Sequence, residues 1–187
     1  MVENYRYITR FWLVMVAAAA VGAAAGAIYY VNRFTNGDDI INYLDGFIVS
    51  LHQGMDNGSI VWRSIKSSML IIGIFTVCAF FRAGVIPAVL IVIRQGFVCG
   101  FANAVFIGTY GYRGLITTVA RLPESILYFA ALLIGGAAAC VSAVLKPDKN
   151  TKFFKKLLVF LIFSFSTFCA SAAAQGFLTT TFMKILF

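Results

Sequence analysis

The sequence predicts an all-α, polytopic helical membrane protein with about five transmembrane helices, N-in and C-out, plus an external amphipathic helix. Three observations predict it. Of 187 residues, 61% are hydrophobic and 12% are charged, whereas a soluble domain is about half apolar and about a quarter charged. Mean hydropathy is +0.90. The scarce charges also fall mostly between long runs that contain none. A small globule cannot bury this much apolar side chain. A soluble enzyme, a disordered chain and a nucleic-acid binder are therefore excluded, despite a formal net charge of +8. The length suggests one unit, residues 1–187, as a single integral membrane domain.

Residues 11–31 carry no charge. As a helix they reach about 30 Å, the thickness of one hydrocarbon core. Ala23-Ala24-Ala25 would suit a signal protease. The run is long for a signal core, however, and further spans follow, so a retained helix is expected. Residues 67–112 are interrupted only by Arg82 and Arg94. That stretch is too long for one crossing and predicts a hairpin. A turn at Arg82-Ala83-Gly84, ahead of Pro87, gives spans near 66–82 and 84–109, and Gly with Pro favours it. A turn at Arg94-Gln95-Gly96 is the alternative. Either choice leaves one arginine at membrane depth. Uncharged stretches at 125–145 and 157–182 supply the fourth and fifth spans.

Two external segments are expected, 32–65 and 110–124. In the first, Ile41, Leu44, Phe47, Ile48 and Leu51 share one helical face. Asp38 or Asp39 suits its start, and such a helix lies in the interface or over the bundle. Gly54 to Gly58 reads as a turn, with Ser59 capping the next helix. The second segment has a Gly111/Gly114 turn, then Leu115, Ile116, Val119 and Leu122 along one face. Leu122-Pro123-Glu124 reads as a helix start. Lys146, Lys149, Lys152, Lys155 and Lys156 lie between two spans and place that connection inside, beside anionic lipid headgroups.

Small residues recur every fourth position: Ala18, Gly22 and Gly26 on the first span, and Gly96, Gly100 and Ala104 on the third. Gly135, Ala139 and Ala143 repeat the pattern on the fourth. Such faces let backbones approach closely where lipid supplies no hydrophobic drive. Two occupants fit: another helix of the same bundle, or, for Gly22/Gly26, another membrane protein or a second copy of the chain.

Reactive groups are few: seven acids, one His and four Cys. Cys78, Cys99, Cys140 and Cys169 sit in apolar stretches without metal-ligand or redox spacing. His52 has no nucleophile to serve, no phosphate-binding loop is present, and no carboxylate is expected inside a span. No catalytic, cofactor-binding or metal-binding residues are predicted, and no enzyme activity is expected. The ionisable side chains that stand out are Arg82 and Arg94. One of them snorkels to a nearby interface or marks a functional position, the alternative being a small permease or exporter subunit that uses an intramembrane arginine.

Several segments carry a resemblance. They are Asn42-Tyr43-Leu44-Asp45-Gly46-Phe47, Arg63-Ser64-Ile65-Lys66, Gly84-Val85-Ile86-Pro87, and the run from Arg94-Gln95-Gly96-Phe97 to Val98-Cys99-Gly100-Phe101. Gly111-Tyr112-Arg113-Gly114-Leu115 and Leu122-Pro123-Glu124-Ser125-Ile126 continue it. From about Asp39 onward the chain resembles the stage II sporulation protein M (SpoIIM) family of polytopic membrane proteins. It departs from the family at Glu124-Ser125, where an amide-bearing pair is common, and in lacking a second proline in the fourth span. The resemblance implies a non-catalytic scaffold in the bacterial cytoplasmic membrane, at the sporulation septum or engulfing membrane. It also implies membrane-anchored, peptidoglycan-cleaving partners that the scaffold recruits or positions during forespore engulfment.

Overall fold

The computed structural model of the chain describes residues 2–34, 57–144, 151–179 and 181–182. Among these, six α-helices are long enough to number and no strand occurs. They are α1 (Val2–Phe34), α2 (Asn57–Phe80), α3 (Val85–Tyr110), α4 (Tyr112–Ala120), α5 (Leu122–Val144) and α6 (Thr151–Ala174). A 3-10 turn, Arg82–Gly84, joins α2 to α3, and a π-turn, Gln175–Thr179, ends α6. Five segments are long and apolar enough to cross a membrane: Thr9–Asn32, Gly58–Phe80, Arg82–Tyr110, Leu122–Val144 and Leu157–Phe177. The chain is a multi-pass helical membrane protein. The external helix expected around Ile41, Leu44, Phe47, Ile48 and Leu51 lies outside the described residues.

The hairpin turns at the first of the two expected sites. Phe81 is extended, its carbonyl accepts from the Gly84 N–H at 2.9 Å, and its own N–H donates to the Cys78 carbonyl at 3.3 Å. A Cβ at Gly84 would strike that Cys78 carbonyl, so the chain turns where a side chain is absent. Arg94 is thereby left inside α3. The second helix starts two residues before Ser59, its expected cap. Asn57 and Gly58, expected in a turn, are already helical, and Arg63 and Lys66 are exposed on the early turns of α2. Basic side chains near a helix end can lay their stems on apolar surface and carry the charge outward. Charge therefore marks this boundary too late in the sequence.

The small faces of α1 and α3 meet each other. A Cβ on Gly22 would land on the Ile93 carbonyl, and one on Gly26 on the Phe97 carbonyl. Reciprocally, Gly96 lies against the Ala19 carbonyl and Gly100 against the Ala23 carbonyl. Residue numbers rise together along both helices, so α1 and α3 run parallel. Beyond the glycines, aromatic rings close the seam: Tyr29 and Tyr30 pack on Phe97 and Phe101, with centroids 5.8–6.3 Å apart.

The fourth and fifth spans pair in the opposite sense. Ser164 Oγ donates to the Ala131 carbonyl at 2.7 Å, and Ser171 Oγ donates to the Glu124 carbonyl at 3.0 Å. One number rises as the other falls, so α5 and α6 are antiparallel. Between these pairs Met15, Phe75, Leu132 and Phe168 are fully buried and join one apolar core with Ile71, Val92 and Cys140. Hydroxyls elsewhere fold back onto their own helices, as in Thr76 to Ile72 and Ser142 to Ala138. Each thus finds an acceptor where water is absent.

Candidate functional site in the third and fifth helices

Gly111 redirects the chain after α3. Its φ of 53° and ψ of −120° lie where a side chain is strained. The turn is at Gly111 alone. Gly114, expected to share it, is inside α4 and so close to α3 that its Cβ would strike the Phe106 carbonyl. The short helix α4 therefore runs back along the end of α3. Its buried residues are Gly114 and Thr117, while Leu115 and Val119 of the expected apolar face are exposed, with Leu122 beyond them. The helix packs through its small side, with Ile116 of the expected apolar face half-buried.

This return carries Arg121 and Glu124 inward. Glu124 stands in the first turn of α5, within the membrane-spanning segment, and is buried. Arg121 Nε lies 3.9 Å from Glu124 Oε2, and the Arg121 guanidinium sits over the Phe106 ring, 5.8 Å from its centroid. The Cys99 thiol, which accepts from Asn103 Nδ2 at 3.7 Å, is within electrostatic reach of both charges. Phe106, whose ring the guanidinium faces, is twenty-two residues past Gly84, about 33 Å along the helix, so the ion pair stands near the outer end of a ~30 Å hydrocarbon core. Both residues belong to the segment expected outside, 110–124, and the structure buries Glu124 in the first turn of α5 beside Arg121. The available signal was the Arg-x-x-Glu spacing, which puts two opposite charges on neighbouring positions of a helix.

Of the six small residues singled out in the sequence, the four glycines form the α1–α3 contact. Ala18, Gly22, Gly26 and Gly96 are buried, and Gly100 and Ala104 are half-buried. In this chain that surface is occupied by the chain itself. Arg82 is exposed on the hairpin turn. Arg94 is exposed in the middle of α3, on the face that also presents Ile86, Leu90 and Val98 to the outside. It lies ten residues past Gly84, about 15 Å along the helix and half of a ~30 Å core. The α1 register agrees, since neighbouring Gly96 faces Ala19 near the middle of the uncharged run 11–31.

Arg94 and Tyr128 are within electrostatic reach of each other. Arg94 has no hydrogen-bond or ion-pair partner among the described residues. A charged side chain at this depth costs about 2.5–3.5 kcal/mol on insertion scales. The two arginine environments thus differ. Arg121 has a carboxylate and a ring face, whereas Arg94 faces outward with a phenol nearby. No group of three or more His, Cys, Asp or Glu side chains converges among the described residues.

Comparison with known proteins finds no matching family model, no matching curated protein and no matching solved structure.

Proposed function

We propose that the chain is a non-catalytic membrane scaffold of the SpoIIM kind. It would sit in the bacterial cytoplasmic membrane and recruit or position membrane-anchored peptidoglycan hydrolases at the septal membrane during forespore engulfment. One observation supports this reading most. Five glycines among the residues that carry the resemblance fall where the backbone bends or approaches another helix closely. Gly84 makes the hairpin, Gly96 and Gly100 form half of the α1–α3 seam, and Gly111 and Gly114 turn α4 back. Residues shared for shape rather than for reactivity suit a protein whose work is to hold partners in place.

The permease alternative rests on the unpaired arginine and the Gly- and Pro-containing hairpin. Arg94 shares the outward face of Leu90 and Val98, which favours the scaffold over a polar path through the bundle. The test is deletion in a sporulating host, with engulfment and hydrolase position followed by microscopy, alongside co-purification of the tagged chain. Arrested engulfment, dispersed hydrolases and a hydrolase in the purified complex are expected. Normal engulfment with normally placed hydrolases would sink the reading.

A further inference from the structure

We propose that the α3 face centred on Arg94 docks a transmembrane helix of a partner protein, and that this helix carries an aspartate or glutamate at mid-membrane depth. The inference rests on the scaffold reading only for what the partner does. Arg94 calls for a counter-anion whatever the function.

Four observations carry it. Arg94 is exposed while the residues two positions either side of it, Val92 and Gly96, are buried, so it is on the opposite side of α3 from the core. Its neighbours one turn away, Leu90 and Val98, are exposed apolar side chains, and Ile86 extends the same stripe. This is the surface against which another apolar helix packs. Arg94 has no ion-pair or hydrogen-bond partner among the described residues. The carboxylate of Glu124, at the start of α5, is already engaged with Arg121.

Depth decides between occupants. Headgroup phosphates lie at the edge of the hydrocarbon core, about 15 Å from its centre, and an arginine stem covers only part of that distance. A carboxylate on an adjacent helix can meet the guanidinium at its own level, as intramembrane charges usually pair. A second copy of this chain brings its own Arg94, and Glu124, the carboxylate described in its membrane-spanning helices, is already engaged with Arg121, so like charges would face each other. The partner is therefore a different chain, apolar on its contact face with one acid near its centre.

The test uses the full chain in phosphatidylcholine vesicles with three synthetic single-pass probes. Each is a leucine-alanine helix of equal length. One has glutamate at its centre, one glutamine and one leucine. Each also carries a cysteine one turn from the central position, for disulfide trapping against Leu90→Cys or Val98→Cys in a chain whose native cysteines are replaced by alanine. The glutamate probe is expected to be trapped about 3- to 10-fold more than the leucine probe. Arg94→Leu should erase that preference and Arg94→Lys should keep most of it. Arg94→Leu removes a charge from an apolar surface, and the comparison among probes on the unsubstituted arginine needs no variant at all.

Equal trapping of the three probes overturns the proposal. So does a preference that persists in Arg94→Leu. A preference that vanishes when phosphatidylglycerol replaces phosphatidylcholine also overturns it, because a headgroup would then be the counter-anion. Failure of the scaffold reading is separately visible. The probe preference would stand while the chain purifies without a hydrolase and engulfment proceeds in the deletion strain.

Discussion

Gly100→Leu loads the α1–α3 seam at its tightest point. A Cβ at Gly100 would sit 2.7 Å from the Ala23 carbonyl carbon and Cα, and nearer still to its oxygen. Ordinary contact begins at 3.4 Å, so a single methyl requires the two backbones to part by more than about 0.7 Å, the oxygen being nearer than the two carbons. Backbone on one side and backbone on the other leave no flexible side chain to yield. Overpacking of this kind costs about 1–3 kcal/mol for alanine. Leucine costs more, since separation also opens the contacts at Gly22, Gly26 and Gly96. Thermal unfolding in detergent, followed through Trp12 and Trp62 fluorescence, should show a midpoint several degrees lower and a loss of monodisperse protein. The control is Gly73→Leu, on the same bundle, where an added Cβ has nothing within 4 Å. If Gly100→Leu and Gly73→Leu both melt with the parent chain, the small faces do not pack as described.

Glu124→Gln strands Arg121 and should cost about 1–3 kcal/mol, below the value for a fully enclosed pair because Arg121 keeps some exposure. The double variant with Arg121→Gln should lose less than the two single losses added together, as a double-mutant cycle in unfolding free energy would show. Ser164→Ala removes one of the two hydroxyl ties between α5 and α6 and should cost about 0.6 kcal/mol, at most about 1.7. Equilibrium unfolding in mixed micelles measures it. Gly111→Ala should lower stability by roughly 1–3 kcal/mol. Asn should not rescue it, since a ψ of −120° lies outside the left-handed helical region that Asn tolerates.

Much of the architecture is legible in the sequence because lipid imposes a length rule. The uncharged runs at 11–31, 125–145 and 157–182 each overlap most of a described helical span, and periodicity marks the small faces of α1 and α3. Two features are not legible, for identifiable reasons. Arg82 and Arg94 interrupt the same apolar stretch alike, and only the close approach of Gly84 to the Cys78 carbonyl distinguishes the turn from the mid-helix cation. The burial of Glu124 depends on the direction taken after Gly111. A backbone angle at one glycine decides whether the next helix leaves the bundle or returns along it. Leu115, Val119 and Leu122 form an apolar stripe either way, and pattern alone does not say that Gly114 and Thr117 form the packed side.

The parallel α1–α3 pair is the element on which the rest depends, and spin-label distances test it directly. With Cys78, Cys99, Cys140 and Cys169 replaced by alanine, one sample carries labels at Trp12→Cys and Ile86→Cys. The other carries Trp12→Cys and Ile107→Cys. All three labelled positions are exposed. Dilution into unlabelled chain removes contributions between copies. The seam places residue 12 level with the start of α3. The second distance should therefore exceed the first by roughly 20–30 Å, the axial length between 86 and 107 less the lateral offset. Two similar distances, or a shorter one for the 12/107 pair, would contradict the parallel seam and the placement of Arg94 at mid-membrane depth along with it.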